Sequence, residues 1–131
     1  MEDLAAQPPD PFSYYARLER VRTYVRENIG ENVSLGDAAR EAGLERKYFS
    51  YFFKVRTGVL FGDWLRRERI DHAKRLLQSK NHQVTEVAYL VGYQHLTSFE
   101  RAFKRETGLR PLQYKKTFAP HLCVTRKHDL G

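Results

Sequence analysis

The chain repeats itself. Ala39 and Ala88, like Gly43 and Gly92, lie 49 residues apart, and beyond a turn Phe49 and Phe99, Phe53 and Phe103, Lys54 and Lys104, Thr57 and Thr107, and Gly58 and Gly108 lie 50 apart. A period of that length marks a supersecondary unit copied in tandem, with one residue added inside the second turn. Each copy reads as a short apolar helix, a glycine-containing turn and a second helix with unlike faces. The fold must therefore be built from two equivalent helical halves.

Helical periodicity accounts for the rest of the chain. Tyr15, Leu18, Val21, Val25 and Ile29 recur at spacings of three and four and predict a first helix from about Phe12 to Gly30. Ser34 with Asp37 three residues on resembles a capping box opening a helix through Ala38, Ala39 and Ala42 to Gly43. The next helix is expected from Glu45 to Gly58, with Phe49, Phe52 and Phe53 on one side and Arg46, Lys47, Ser50, Tyr51 and Lys54 on another. A longer helix, Phe61 to Ser79, links it to the second copy, expected over Val84 to Val91 and His95 to Thr107, with Pro111 opening a last helix. No segment alternates as a strand would. The expected fold class is all-α, seven helices, two helix-turn-helix subdomains joined by a long linker helix in a homeodomain-like arrangement. Its boundaries are a mobile tail over 1–11, subdomains over 12–59 and 81–117, a linker over 60–80, and a second tail over 118–131. Phe49, Phe53, Phe99 and Phe103 are the candidate core.

Charge points to the partner. Residues 1–45 hold 5 basic and 9 acidic side chains, and residues 46–131 hold 18 and 7, so a net charge of +7 is divided as −4 and +11. A basic later two thirds favours a polyanion, nucleic acid before a membrane surface. With 41% hydrophobic residues the chain can bury a core. The single cysteine, Cys123, excludes an internal disulfide and any site needing two thiolates from one chain. No apolar run approaches the roughly 20 residues of a membrane span, and the acidic start lacks the form of a secretory signal, so a cytoplasmic protein is expected. A stand-alone protein and an excised domain of a larger regulator both remain open readings. His121, Cys123 and His128 lack compact metal-ligand spacing, and His72 beside Asp71 is a neighbour pair rather than part of a triad. No metal, no cofactor and no enzymatic activity are expected.

A short helix, a turn and an amphipathic second helix form the helix-turn-helix arrangement, whose second helix fits the roughly 12 Å wide major groove of B-form DNA. A plain helical bundle would share the pattern for one unit; two copies joined by a helix favour DNA. A linker of about 17 to 19 residues spans about 25 to 30 Å, close to the roughly 34 Å between successive major-groove faces. One chain could thus read two groove segments without dimerising.

The stretch Gly92, Tyr93, Phe99, Arg101, Phe103, Lys104, Gly108, Pro111 and Tyr114, with the linker pattern Phe61, Trp64, Leu65, Arg69, Ile70, Ala73, Leu76 and Leu77, resembles the AraC/XylS family of transcription regulators from about Leu18 to Lys116. The resemblance implies a seven-helix DNA-binding module that occupies adjacent major grooves and most often activates transcription through RNA polymerase. Carried over residue by residue, it implies base contacts from Lys47, Ser50 and Tyr51 in the first recognition helix and from Leu96, Thr97, Glu100 and Arg101 in the second. Arg46, Lys54, His95, Lys104 and Arg105 are the implied phosphate contacts. The chain departs from the family at Tyr51, where arginine is frequent, so that a thymine methyl or phosphate contact replaces a guanine contact. Leu96 stands in a polar position, and Glu45, Leu60, Gln83 and His95 stand where the family places Ser, Thr or Asp caps.

The reading is a monomeric, sequence-specific DNA-binding regulator. Its alternative is a protein-interaction module of the same fold, which modulates RNA polymerase or another regulator with weak DNA specificity.

Overall fold

The computed structural model describes residues 10–79 and 81–118. The described residues are all-helical: one turn, Pro11–Tyr14, then α1 (Ala16–Glu27), α2 (Leu35–Ala42), α3 (Arg46–Thr57), α4 (Phe61–Leu77), α5 (Val84–Leu90), α6 (Leu96–Thr107) and α7 (Pro111–Phe118). The tails expected over 1–11 and 118–131, with His121, Cys123 and His128, lie almost wholly outside the described residues. The chain divides into two compact units. One comprises the residues up to Asn28 together with Asn32–Leu65, and the other comprises Ile29–Glu31 with the residues from Arg66 onward.

In the first unit Leu18, Val21 and Val25 of α1 are fully buried, with Ala38, Ala39 and Ala42 of α2 and Phe49 and Phe53 of α3. The small side chains of α2 suit close approach of a neighbouring helix, and the phenylalanines fill the remaining volume. Burying one such ring is worth about 1.5–3 kcal/mol. Phe61 and Trp64 at the start of α4 extend this aromatic core, their ring centroids 5.4 and 5.5 Å from Phe53. The expected continuous helix from Phe12 is interrupted at Tyr15, whose backbone is extended (φ −104°, ψ 116°). Asp10 caps the short turn by accepting from the Phe12 N–H, and Phe12 stacks on Trp64 at 5.2 Å.

The second unit packs Ile70, Ala73 and Leu77 of α4 with Val87, Ala88, Val91, Phe99, Phe103 and Tyr114. The duplication runs further than the helix-turn-helix residues. Ile70, Ala73 and Leu77 hold the places of Leu18, Val21 and Val25, and Tyr114 packs on Phe103 as Trp64 packs on Phe53. Helix α4 therefore has two parts: its first turns complete the first unit, and its remainder serves the second unit as α1 serves the first. Even the local chemistry is copied. The Thr57 hydroxyl bonds the carbonyls of Phe53 and Val59 at 2.7 and 3.2 Å, and that of Thr107 bonds Phe103 and Leu109 at 2.8 and 3.0 Å.

Helix ends follow capping chemistry. The Ser34 and Asp37 side chains exchange hydrogen bonds with each other's backbone N–H at 3.0 and 3.1 Å. Accepting the Ser34 N–H is the main reason the Asp37 carboxyl is held below its ordinary range, aided by Ser34's hydroxyl and by Arg40. Glu45, out of pattern for a cap, nonetheless accepts from the Tyr48 N–H at 3.1 Å, so the start of α3 is secured by a carboxylate. Gly43, Gly58 and Gly108 are left-handed C-caps, as their positions predict. Gly30 differs from expectation, since α1 ends at Glu27 with Asn28 as its C-cap. A Cβ at Gly30 would lie 2.7 Å from the Leu90 carbonyl oxygen, so the glycine permits close backbone approach rather than a helix stop.

Candidate nucleic-acid interface

Each unit presents one helix with a buried and an exposed side. Along α3, Phe49, Phe52 and Phe53 face inward, while Arg46, Lys47, Tyr51 and Lys54 are exposed and Ser50 is half-buried. Along α6, Phe99, Ala102 and Phe103 face inward, while Leu96, Thr97, Glu100, Arg101, Lys104 and Arg105 are exposed. His95 is exposed as the N-cap of α6 and makes no capping bond with its side chain. Within each unit the candidate contact residues thus share the outer side of one amphipathic helix. Helical spacing puts Lys47, Ser50, Tyr51 and Lys54 along one line, and Thr97, Glu100, Arg101 and Lys104 along the corresponding one.

What anchors each helix differs. In the first unit Arg17 of α1 reaches across to the end of α2 and donates to the Ala42 carbonyl at 2.6 Å. Arg20 donates to the Glu41 carbonyl at 3.1 Å. Two cations thus satisfy carbonyls left over at a helix C-terminus, where the helix dipole also favours positive charge. In the second unit the corresponding arginine is Arg69, one residue before Ile70 as Arg17 precedes Leu18. Its guanidinium lies beside Gly92 and donates to the Glu31 carbonyl at 3.1 Å. Arg69 is half-buried, and its Nε has no hydrogen-bond partner. Burial lowers the Arg69 pKa from its ordinary value and raises that of neighbouring Tyr93.

Three basic residues of α4 have acidic or imidazole neighbours. Arg67 approaches Glu106 at 3.9 Å, Lys74 approaches Asp71 at 3.6 Å, and Arg75 approaches the His72 Nδ1 at 3.3 Å. A groove of about 360 Å³ is lined by Leu96, Glu100, Leu112 and Lys115 together with Gln83, Val84 and Thr85. The sequence reading missed Tyr48 and Val55 on the outside of α3, both of them half exposed. Their signal was the spacing of Tyr48, Tyr51 and Val55, which puts them in one row. Among the described residues no three His, Cys, Asp or Glu side chains are grouped as a metal site, and no helix is long and apolar enough to cross a membrane.

A family profile described as a helix-turn-helix domain matches residues 38–117. The HTH-type transcriptional activator RhaR of Yersinia pseudotuberculosis is 26% identical over 113 residues, 86% of this chain and 39% of that protein. This chain therefore spans well under half the length of that relative. Among solved structures, the DNA-binding domain of the global transcriptional factor AdpA, in complex with a target DNA, aligns with a TM-score of 0.72 at 26% identity, covering 86% of this chain and 96% of that one. An AraC-type regulator from Chromobacterium violaceum shares the fold with a TM-score of 0.74 at 20% identity, over 79% of this chain and 93% of that one. With the duplicated unit and the matched span agreeing, the chain belongs to the helix-turn-helix family of AraC-type DNA-binding domains.

Proposed function

We propose that this chain is the DNA-reading part of a cytoplasmic transcription regulator, with α3 and α6 entering neighbouring stretches of the major groove of one duplex. Lys47, Ser50 and Tyr51 read bases from the first helix, and Leu96, Thr97, Glu100 and Arg101 read them from the second. Arg46, Lys54, His95, Lys104 and Arg105 hold phosphates and set register without reading sequence. The working division is 12–59 and 81–117 for the two readers, with 60–80 between them. The chain binds as a monomer to an asymmetric site of about 20 base pairs and activates transcription through contact with RNA polymerase.

One observation carries this reading: in both units the phenylalanine pair of the second helix is wholly buried while the opposite side is exposed and mostly basic or polar. The description of RhaR as an activator supports the direction of regulation, and the AdpA domain's complex with DNA supports the ligand.

The test is selection of bound sequences from a random duplex library, followed by affinity measurement at physiological salt. A selected site bound at least roughly a thousandfold more tightly than random duplex is the expected result. A ratio below roughly tenfold would contradict sequence reading and favour a protein-interaction module of the same fold.

A further inference from the structure

The two recognition helices are copies, yet their outer surfaces differ in kind along one row. Tyr48, Tyr51 and Val55 of α3 are 50%, 64% and 52% exposed, and the residues 50 positions later are Ser98, Arg101 and Arg105. An apolar, largely aromatic row thus stands where the second copy is polar and cationic. The Tyr48 ring lies 6.1 Å from Tyr51 and 6.3 Å from the buried Phe52, so the row is backed by the core. Aromatic side chains braced in this way offer apolar contact area at little cost in conformational freedom.

Three such side chains in one row on the helix already proposed to meet DNA form a contact surface, and the flanking charge identifies the class of its occupant. Arg46, Lys47 and Lys54 are exposed on the same helix, and Glu45 at its start is engaged in capping α3. A protein partner with an apolar face would have to bring its own anions to such a surface; duplex DNA brings phosphates and, in its major groove, one apolar group, the C5 methyl of thymine. We infer that α3 selects a thymine-rich stretch of major groove by packing Tyr48, Tyr51 and Val55 against thymine methyl groups, whereas α6 reads its stretch mainly by polar contacts, Arg101 foremost, with Leu96 as its apolar contact. The inference rests on the DNA reading proposed above and adds the chemistry of one half of the site, with Tyr48 and Val55 as specificity-determining residues.

Replacing thymine by deoxyuridine removes the methyl and leaves base pairing intact, which gives a direct test. Starting from the selected duplex, each half of the site is substituted with deoxyuridine in turn, and affinity is measured for the full chain and for a Tyr48→Ser, Tyr51→Arg variant. Methyl removal in one half is expected to weaken binding by the native chain about fourfold per contacted methyl, the equivalent of one buried methylene. The other half is expected to respond by no more than about the fourfold of a single methyl, at Leu96, and the variant is expected to lose the larger sensitivity of the α3 half. Equal affinity of the native chain for thymine and deoxyuridine duplexes would overturn the inference while leaving sequence reading intact. So would full methyl sensitivity in a variant shown by its thermal melt to be folded. Failure to select any sequence would overturn both. If the variant does not fold, the native chain's response to methyl removal alone decides.

Discussion

The two units are built on one plan and anchored by different means. In the first, Arg17 and Arg20 bond the last carbonyls of α2 from outside, and a Cβ on Gly43 would meet only the Arg17 Nη1 at 3.0 Å. In the second, Gly92 is hemmed in, and a Cβ there would stand 2.9 Å from the Ile29 carbonyl oxygen and 3.1 Å from the Arg69 Nε. Both glycines have positive φ, 72° and 99°. The difference shows that a copied turn need not keep its tolerance: one is free to give because a flexible side-chain end is its neighbour, and the other is wedged against backbone.

Substitutions at matched positions separate what the two units share from what they do not. The largest effect belongs to the residues the units share. Phe53→Ala and Phe103→Ala should each lower stability by about 3–5 kcal/mol, since both rings are fully buried, and urea denaturation should show losses of similar size. Unequal losses would mean that the two cores are not equivalent.

The turn glycines come next and should separate the units. Gly43→Ala is expected to cost about 1–2 kcal/mol, the left-handed backbone penalty alone. Gly92→Ala should cost clearly more, because the Ile29 carbonyl must move as well. Equal melting temperatures for the two variants would remove the proposed distinction.

On the DNA side, Arg101→Ala is expected to weaken binding to the selected site by about 1–3 kcal/mol and relax preference at a single base pair. Lys104→Ala should weaken binding to all sequences alike and make the salt dependence shallower by about one unit of slope. Binding titrations on matched and mismatched duplexes distinguish the two behaviours.

The smallest effects lie in pH. His72 in α4 has its pKa lowered by burial, then by Arg75, so folding favours the neutral ring. The stability this contributes is present above the unfolded value of about 6.5 and declines as pH falls below it, through the folded value. His72→Gln should flatten the stability profile between pH 7.5 and 5.5, approximate limits set by that pKa. Asp37 in the first unit acts lower on the scale, since its depressed pKa adds stability above the ordinary carboxylate range that disappears only as pH falls through that range and beneath it. Asp37→Asn should remove that acid-dependent part without altering the profile near neutrality.

Much of this architecture was legible in the residues because it rests on short-range rules. The repeat, the buried phenylalanines, the Ser34–Asp37 box and the left-handed glycines all follow from spacing and local backbone preference. What escaped depends on partners distant in sequence. The break at Tyr15 goes with Phe12 meeting Trp64, and nothing near Tyr15 in the chain announces it. Gly30 looked like a helix stop because its close neighbour, Leu90, is far along the chain. The equivalence of α1 with the later part of α4 was hidden because Leu18, Val21 and Val25 correspond to Ile70, Ala73 and Leu77, alike in character but not in identity. Within the candidate interface the charged positions were readable, while Tyr48 and Val55 were overlooked because apolar residues are ordinarily assigned to the core.

Reading of one duplex by both helices through its major groove is open to direct measurement on the selected site. Dimethyl sulfate protection reports guanine N7 and uracil interference reports thymine methyls, both of them groups of that groove. Two blocks of contacts about one helical turn apart are expected, one marked by guanine protection that Arg101→Ala weakens and the other by methyl dependence that it spares. A single block of contacts, or loss of both blocks together in a folded Arg101→Ala protein, would rule out two readers on one duplex.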